Sequence, residues 1–356
     1  MSFAVYSNVD RAGQGGGVLY AVGAARALAA LGPVDLYFRR PVDPRAVARM
    51  VPVDLSGIRQ RLATRVPGLA GEARALLGRS PYRATLVQST EVPRRRGRGR
   101  VCLLCEFPSQ RRLGLGDRLR LASFHRVLAN SAYTAGWIAR RWGRRATVLY
   151  PPVFPVAAGA KKPWILGVGR FTGGGRPKRQ WEMVEMFRAL IARGLDGWQL
   201  HLAGTVEDPA YLARVQQAAR GLDAHFHPNL PREALERLLA GASLFWHATG
   251  AEADPETEPE RMEHFGIATV EAMSAGAVPV VIDRGGQPEI VDPDHSGVLW
   301  SSYDECIEQS WALCHDHAAR ARLSRGARQR AQAFSFPRFA ARARALIAGV
   351  DQEPGA

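Results

Sequence analysis

Short, mostly apolar runs alternate with longer amphipathic stretches along the first part of the chain. Such runs favour buried strands, and they lie at 3–7, 34–38, 84–88, 101–105, 127–130 and 146–150. Two stretches between them, 17–31 and 132–143, repeat apolar side chains every three or four positions, which predicts helices. Alternating buried strands and helices are typical of a parallel sheet covered on both faces.

The same alternation resumes after PPVFPVAAGAKKP (151–163), a segment with neither period that we interpret as a linker. Strands are predicted at 164–169, 198–204, 225–228, 244–248 and 278–282, and helices at 181–194, 209–221, 231–242 and 268–276. The repetition predicts an α/β chain of two doubly wound, Rossmann-like domains whose parallel sheets face each other across a ligand-binding cleft.

A length of 356 residues suits two domains of ordinary size. We place an N-terminal domain at 1–155 and a C-terminal domain at 156–336. The remaining segment, 337–356, contains a predicted helix at 337–350, and we expect it to return to the first domain.

The composition, 46% hydrophobic and 23% charged, is that of a globular protein. Four cysteines are too few for a disulfide scaffold and favour a reducing compartment. We expect Cys102 and Cys105 to be buried thiols rather than zinc ligands. No apolar run approaches the roughly 18 residues of a membrane-spanning helix, and MSFAVYSNVD lacks the pattern of a signal peptide. These features predict a cytoplasmic protein.

The net positive charge of the chain lies in its first half. Residues 1–155 contain 26 Arg and no Lys against eight acidic residues, a net charge of +18, whereas the remainder carries −3. The asymmetry predicts an anionic partner for the first domain: nucleic acid, a membrane surface or a phosphorylated substrate. The alternative is that the charge serves only solubility, with Arg used in place of Lys because the genome is GC-rich.

The distribution of these arginines favours a lipid surface over nucleic acid. Residues 111–128 mix Arg with Leu and Phe at near-helical intervals and follow the Arg-rich run 94–100, as expected of a face that lies on anionic lipid. No zinc-finger, RNP-like or helix–turn–helix signature is present. We therefore expect contact with the inner face of a membrane or with an anionic acceptor, and no nucleic acid.

The strongest local motif is EHFGIATVEAMSAGAVPVV (263–281). A helix that starts near Gly266 would direct the N–H groups of residues 266–268 at one anion, such as a diphosphate. On one helix Glu263 and Glu271 would lie about 12 Å apart, too far for the carboxylate pair of a glycosidase. Their spacing suits two groups that bind hydroxyls beside the anion, although glutamates are also common in first helical turns.

A second motif, GVGRFTGGGRPKRQWEMV (167–184), places Arg170 and Lys178 after a predicted strand. Two cations there could stabilise a departing nucleoside diphosphate. The alternative is a solvated basic turn.

A third motif, Gly15–Gly17, opens the first predicted helix. It lacks the spacing and the acidic residue of a dinucleotide fingerprint, which disfavours a nicotinamide-dependent oxidoreductase. The loop could instead bring backbone amides to a phosphate or an acceptor.

Taken together, these strings resemble the family-4 retaining glycosyltransferases of the GT-B fold over nearly the whole chain. The matching segments are Gly15–Gly17, NSAYTAGWI, VLYPPV, VGRF…KRQ, HLAG and EHFGIATVEAMSAG. The YPPV, KRQ and EHFGI details are most similar to GDP-mannose-dependent α-1,2-mannosyltransferases of lipid-linked oligosaccharide assembly. Similar strings occur in bacterial relatives that build surface polysaccharides.

The resemblance implies transfer of a hexose, first of all mannose, from a nucleotide diphosphate sugar to a lipid-linked or otherwise anionic acceptor, without a metal or cofactor. Arg170 and Lys178 would hold the diphosphate, Glu271 the ribose and Glu263 the hexose hydroxyls. The remaining implied donor ligands are Phe265, Gly266 and Ile267, the glycines Gly16 and Gly17, and Asn229 and Leu230 in the segment 227–230 beside the nucleobase. The alternative function is a catalytically silent, nucleotide-sugar-binding regulatory subunit.

The chain departs from the family pattern at Glu106. Many relatives carry a His before an aromatic–Pro pair, whereas this chain has Glu106 before Phe107 and Pro108. A carboxylate there could act as a base towards the acceptor or could bind a hydroxyl. Asp292-Pro293-Asp294 resembles a metal-binding motif of the other glycosyltransferase fold, but we expect a turn.

Overall fold

The computed structural model describes residues 2–7, 16–39, 55–62, 82–93 and 99–349. Backbone contacts divide the chain into two compact units. Unit 1 comprises residues 1–154 together with 334–356, and unit 2 comprises residues 155–333.

Unit 1 is built on a parallel sheet of seven strands in the order β3-β2-β1-β4-β5-β6-β7. The strands are β1 (Ser2–Tyr6), β2 (Val34–Phe38), β3 (Ile58–Leu62), β4 (Tyr82–Gln88), β5 (Arg100–Cys105), β6 (Arg126–Ala129) and β7 (Thr147–Val148). All strands predicted from apolar runs are present. The pattern missed β3, an edge strand of sequence IRQRL with little apolar character.

The helices of unit 1 include one from the end of the chain. Among the described residues they are α1 (Gly16–Ala29), α2 (Leu115–Ala122), α3 (Ala132–Trp142) and, after the whole of unit 2, α11 (Phe336–Ala343), which continues as a π-helical turn (Arg344–Ala348). Phe339, Ala343 and Ile347 pack in the same buried cluster as β1 and α1. Because this segment lies in that core, the core of unit 1 combines residues from early and late in the chain.

Unit 2 repeats the arrangement with a parallel sheet of six strands in the order β10-β9-β8-β11-β12-β13. Its strands are β8 (Lys162–Val168), β9 (Gln199–Gly204), β10 (Ala224–Pro228), β11 (Ala242–His247), β12 (Val278–Ile282) and β13 (Val298–Trp300). Its helices are α4 (Gln180–Ala192), α5 (Pro209–Ala218), α6 (Arg232–Gly241), α7 (Ile267–Ser274), α8 (Gln287–Ile290), α9 (Tyr303–His315) and α10 (His317–Ala331). The predicted doubly wound α/β class is therefore confirmed in both units.

Other expectations can be compared directly with the described residues. All four cysteines are free and buried, as predicted for Cys102 and Cys105, and burial raises the pKa of Cys102 to about 11. Only Leu115–Ala122 of the basic stretch 111–128 is helical before β6 begins, and residues 94–98 lie outside the described ranges. Within those ranges, each helix is too short or too polar to cross a bilayer.

Gly23 tests how tightly α1 packs. A Cβ atom at Gly23 would lie 2.5 Å from Pro152 Cγ, which is a steric overlap. We expect Gly23→Ala to lower the free energy of unfolding by about 1–3 kcal/mol, measured by denaturant titration, because an added methyl overpacks the core.

The matched control is Gly136→Ala in α3, where a Cβ atom would meet nothing within 4 Å. It should be neutral or stabilise by about 0.5–1 kcal/mol through higher helix propensity. Equal effects of the two substitutions would contradict the packing argument.

Candidate functional site

The second basic motif lies at the carboxyl end of β8. Arg170 follows that strand, and its Nη1 atom donates to both carboxylate oxygens of Glu207 at 2.7 and 2.8 Å. Gln180, the first residue of α4, donates Nε2–H to the carbonyl oxygens of Gly169 and Arg170 at 3.0 and 3.1 Å. These contacts fix the backbone from which the Arg170 guanidinium extends.

Lys178 and Glu263, predicted as separate ligands, are in contact. Lys178 Nζ lies 2.5 Å from Glu263 Oε2, and the two side chains are only 16% and 17% exposed. His247, the last residue of β11, places Nε2 3.3 Å from the same carboxylate oxygen. Glu263 is therefore held from two sides, by an ammonium and by an imidazole.

Two further cations, Arg176 and Arg170, act on the Lys178 ammonium. Burial, with repulsion from the Arg176 and Arg170 guanidiniums, lowers the pKa of Lys178 despite its pairing with Glu263. Burial alone would raise the pKa of Glu263, but the Lys178 ammonium and the His247 hydrogen bond hold it well below its usual range. Glu263 is thus ionised, and the cluster keeps more positive than negative charge near one point.

The loop before α7 is clamped in a conformation that only glycine adopts easily. Gly266 caps the helix with φ of 120°, and a Cβ atom there would lie 2.4 Å from Gln287 Nε2. Gly286 donates its N–H to the Glu263 carbonyl at 2.8 Å. Thr269 and Val270 donate their N–H groups to the Gly266 carbonyl, so the N–H groups at 266–268 precede the helical ladder and are the ones a helix leaves for an anion. The predicted helix start is confirmed.

Phe265 and Ile267 flank this glycine in different surroundings. Phe265 is buried, and its carbonyl accepts from Gln287 Nε2 at 3.5 Å, whereas Ile267 is half-buried and begins the helix. Phe265 therefore anchors the loop, and Ile267 presents the first helical N–H.

Glu271 has a different partner. It lies in the second turn of α7, and its Oε1 atom accepts from Arg232 Nη1 at 2.6 Å. Arg232, the first residue of α6, also donates through Nε to Glu236 at 2.7 Å. Burial raises the pKa of Glu271 although Arg232 opposes the shift, so the ionisation of this carboxylate depends on the guanidinium.

The segment predicted to lie beside a nucleobase follows β10. Asn229 is exposed and left-handed, with φ of 52°. Its N–H donates to the Gly204 carbonyl at 2.9 Å, and its Oδ1 atom accepts from the Val206 N–H at 3.0 Å. Leu230 is half-buried next to it. The side chain of Asn229 therefore joins the ends of β9 and β10.

The unit 1 candidates form a separate group. Gly16 and Gly17 begin α1, and Glu106 follows β5. Gln88, the last residue of β4, donates Nε2–H to the Gly17 carbonyl and to Glu106 Oε2, both at 3.1 Å. Gly15 lies outside the described residues.

Sequence reasoning missed several members of these clusters. Arg176, whose Nη1 atom lies 3.1 Å from His264 Nδ1, was inside the basic motif. His264 stands next to Glu263 in the strongest motif. Arg232 and Gln88 carried no local signal, because their partners lie 39, 71 and 18 positions away in the chain.

The possible metal motif is a turn, as predicted. Asp294 is left-handed, with φ of 62°, and its N–H donates to the Gly297 carbonyl at 3.1 Å. Throughout the part of the chain that the structure describes, His, Cys, Asp and Glu side chains nowhere form a group of three suited to a metal ion.

Among known proteins, a family model matches the sequence of unit 2. Residues 154–330 match the family model described as "Glycosyl transferases group 1". A "GDP-Man:Man(3)GlcNAc(2)-PP-Dol alpha-1,2-mannosyltransferase" from Dictyostelium discoideum is 26% identical over 242 residues, which cover 60% of this chain and 45% of the relative. The match thus spans less than half of that curated relative.

Solved structures resemble the whole chain. Sucrose-phosphate synthase from Thermosynechococcus elongatus superimposes with a TM-score of 0.67 at 19% identity, covering 97% of this chain and 98% of that one. The Anabaena protein Alr3699/HepE, crystallised with UDP, gives a TM-score of 0.72 at 16% identity, with 96% and 97% covered. At these identities the likeness shows the fold, which is the GT-B fold.

The Lys178–Glu263 contact predicts strong energetic coupling. Lys178→Met and Glu263→Gln should each lower the free energy of unfolding by about 3 kcal/mol, because each leaves a buried charged group without its partner. The double substitution should cost clearly less than the sum of the two, in a double-mutant cycle measured by denaturant titration.

The control cycle is Arg170→Met with Glu207→Gln, an ion pair that is about one-third exposed. Its coupling should stay below about 1 kcal/mol. Additive effects in the Lys178–Glu263 cycle would show that the two groups do not depend on each other.

Proposed function

Through residues 154–330 this chain belongs to the glycosyl transferases group 1 family, on a GT-B fold, and from that premise we propose that it transfers a hexose from a nucleotide diphosphate sugar to an acceptor hydroxyl. The observation that carries the proposal is the part-buried Lys178–Glu263 contact in unit 2, beside Arg176, which contacts His264, and Arg170, which follows β8. Such a cluster lowers its own energy by binding a polyanion.

In this proposal the donor diphosphate binds to the cation cluster. Lys178 donates one of its three ammonium N–H groups to Glu263, which leaves two for phosphate oxygens. The N–H groups at 266–268 supply the positive end of α7 to the same anion. Arg170 changes partner from Glu207 to a phosphate oxygen when the donor binds.

The hexose, ribose and base of the donor are assigned to four further predicted residues, all of them in unit 2. Glu263 accepts hydrogen bonds from hexose hydroxyls, and Glu271, oriented by Arg232, accepts them from the ribose. Asn229 and Leu230 lie beside the base. The Dictyostelium relative is named for GDP-mannose and the Anabaena structure holds UDP, and we propose GDP-mannose as the first donor to test.

The proposed chemistry is front-face substitution with retention. The bond between the hexose C1 and the β-phosphate oxygen breaks, and its electron pair stays on the diphosphate. The acceptor oxygen bonds to C1 from the same face and gives its proton to the leaving phosphate. Arg170, Lys178 and the α7 amides stabilise the charge that grows on that phosphate, so we propose that transfer needs no metal ion or other cofactor.

We further propose that unit 1 binds a lipid-linked or otherwise anionic acceptor at an anionic membrane surface. Leu115 and Leu119, one turn apart on α2, are 76% and 65% exposed. Arg111 and Arg118 are exposed beside them, and the buried Asp117 holds Arg111 at 2.8 Å. Exposed leucines flanked by arginines suit the interface of an anionic bilayer.

Donor binding and turnover test the first proposal. A thermal-shift screen with GDP-, UDP-, ADP- and dTDP-sugars should show stabilisation by one of them. Arg170→Met and Lys178→Met should lower kcat about 10²–10³-fold, and EDTA should leave the rate unchanged.

Arg193→Met, at an exposed Arg–Glu pair with Glu308, is the matched control and should retain activity. Stabilisation without donor hydrolysis or transfer would favour the silent subunit, whereas full turnover in Lys178→Met would contradict the proposed site. If the wild-type chain hydrolyses the donor, Glu263→Ala should lose that activity.

Liposome flotation tests the membrane proposal. The wild-type protein should float with phosphatidylglycerol-containing vesicles at low salt, and Leu115→Ser/Leu119→Ser should reduce binding at least tenfold, because each leucine contributes about 1.5–3 kcal/mol when buried. Trp181→Ser/Ile191→Ser removes exposed apolar side chains from unit 2 as a control. Binding that is equal in both double variants would place the contact elsewhere.

A further inference from the structure

Gln88 is a buried polar residue at the centre of the unit 1 cluster. It ends β4, which lies between β1 and β5 in the sheet, and it is only 3% exposed. Its Oε1 atom accepts from the Ser7 hydroxyl at 3.1 Å, just beyond β1. Its Nε2 atom donates to the Gly17 carbonyl at the start of α1 and to Glu106 Oε2 beyond β5. One amide therefore links three neighbouring strand ends and the start of a helix.

The Gln88 amide matches its surroundings because it offers both a donor and an acceptor. The Gly17 carbonyl and the Glu106 carboxylate can only accept hydrogen bonds, and Gln88 Nε2 donates to both of them. Ser7 fixes the orientation from the other side by donating to Oε1. A carboxylate at position 88 would face two acceptors, and an apolar side chain would remove this donor from both of them.

Glu106 is held at both ends. Its backbone carbonyl accepts from the Thr134 hydroxyl at 3.1 Å, and Thr134 is fully buried near the start of α3. Its carboxylate accepts from Gln88, while the residue as a whole remains half-buried rather than enclosed. Burial raises the pKa of Tyr20 on α1, and the negative charge of Glu106 raises it further. Glu106 is therefore an oriented carboxylate at the carboxyl edge of the unit 1 sheet.

We propose that Gln88 is a positioning residue that orients the Glu106 carboxylate to accept a hydrogen bond from the acceptor hydroxyl. This inference rests on the proposed glycosyl transfer and deepens it, since it assigns Glu106 to the acceptor rather than to the donor. Through Gly17, the same amide ties this carboxylate to the first turn of α1. A carboxylate so oriented aligns the hydroxyl for attack on C1.

Gln88→Met and Gln88→Glu test the assignment in the full-length chain. Gln88→Met should lower kcat/KM for transfer about 10–100-fold, because Glu106 loses the donor that orients it. Donor-sugar hydrolysis and the thermal shift produced by the donor should remain as in the wild type, since donor binding is assigned to unit 2. Thr85→Val, at a buried site on the same strand, controls for general destabilisation and should transfer normally.

Gln88→Glu adds a measurement, the pH dependence of the transfer rate, that would not change if Gln88 were only structural. In that variant an ionised carboxylate at position 88 would repel Glu106, whereas the protonated acid could still donate one hydrogen bond to it. The transfer rate of Gln88→Glu relative to wild type should therefore rise as the pH is lowered from about 8 to about 5.5, while the same ratio for Gln88→Met should stay flat.

The outcomes separate the two proposals. If the wild-type chain hydrolyses the donor and Gln88→Met transfers at the wild-type rate, the positioning role is wrong and the proposed function stands. If Gln88→Met loses hydrolysis and transfer equally, or Gln88→Glu shows no pH-dependent recovery, Gln88 is only structural. If the wild type neither binds nor hydrolyses any nucleotide sugar, the proposed function fails and this inference fails with it.

Discussion

The pairing of Glu263 with Lys178 is the interaction on which the candidate donor site depends. Without that carboxylate, the buried Lys178 ammonium would be repelled by the Arg176 and Arg170 guanidiniums. Glu263 pairs with Lys178 and Glu207 pairs with Arg170, so two carboxylates leave the three cations after β8 with excess positive charge. A ligand-free cluster that still has excess positive charge favours the binding of an anion.

In both units the candidate residues lie at the carboxyl ends of the parallel strands, but the charges of these residues differ. In unit 2 the carboxyl ends of the strands gather cations and the amides of a helix start. In unit 1 they gather a serine, an amide and a carboxylate, linked by Gln88. Parallel strands bring all their carboxyl ends to one edge, so each sheet collects its polar residues there whatever their charge.

The candidate residues were predictable where they lie within one local motif, and their long-range contacts were not. Glu263, Gly266 and Glu271 lie within one motif, and the structure starts a helix at the predicted position between them. The contacts Lys178–Glu263 and Arg232–Glu271 join positions 85 and 39 residues apart. No periodicity encodes such pairs, because they follow from which strands become neighbours in the sheet.

The sequence alone determined the alternation of strands and helices, the fold class and the concentration of positive charge in the first half, because these are set by neighbours within a few positions. It could not determine β3, whose polar residues form a strand only because β2 offers them an edge. Only the tertiary structure decided that Glu271 pairs with Arg232 and that Gln88 holds Glu106. Those contacts exist because packing buries the charged and polar groups, and burial requires each of them to have a partner.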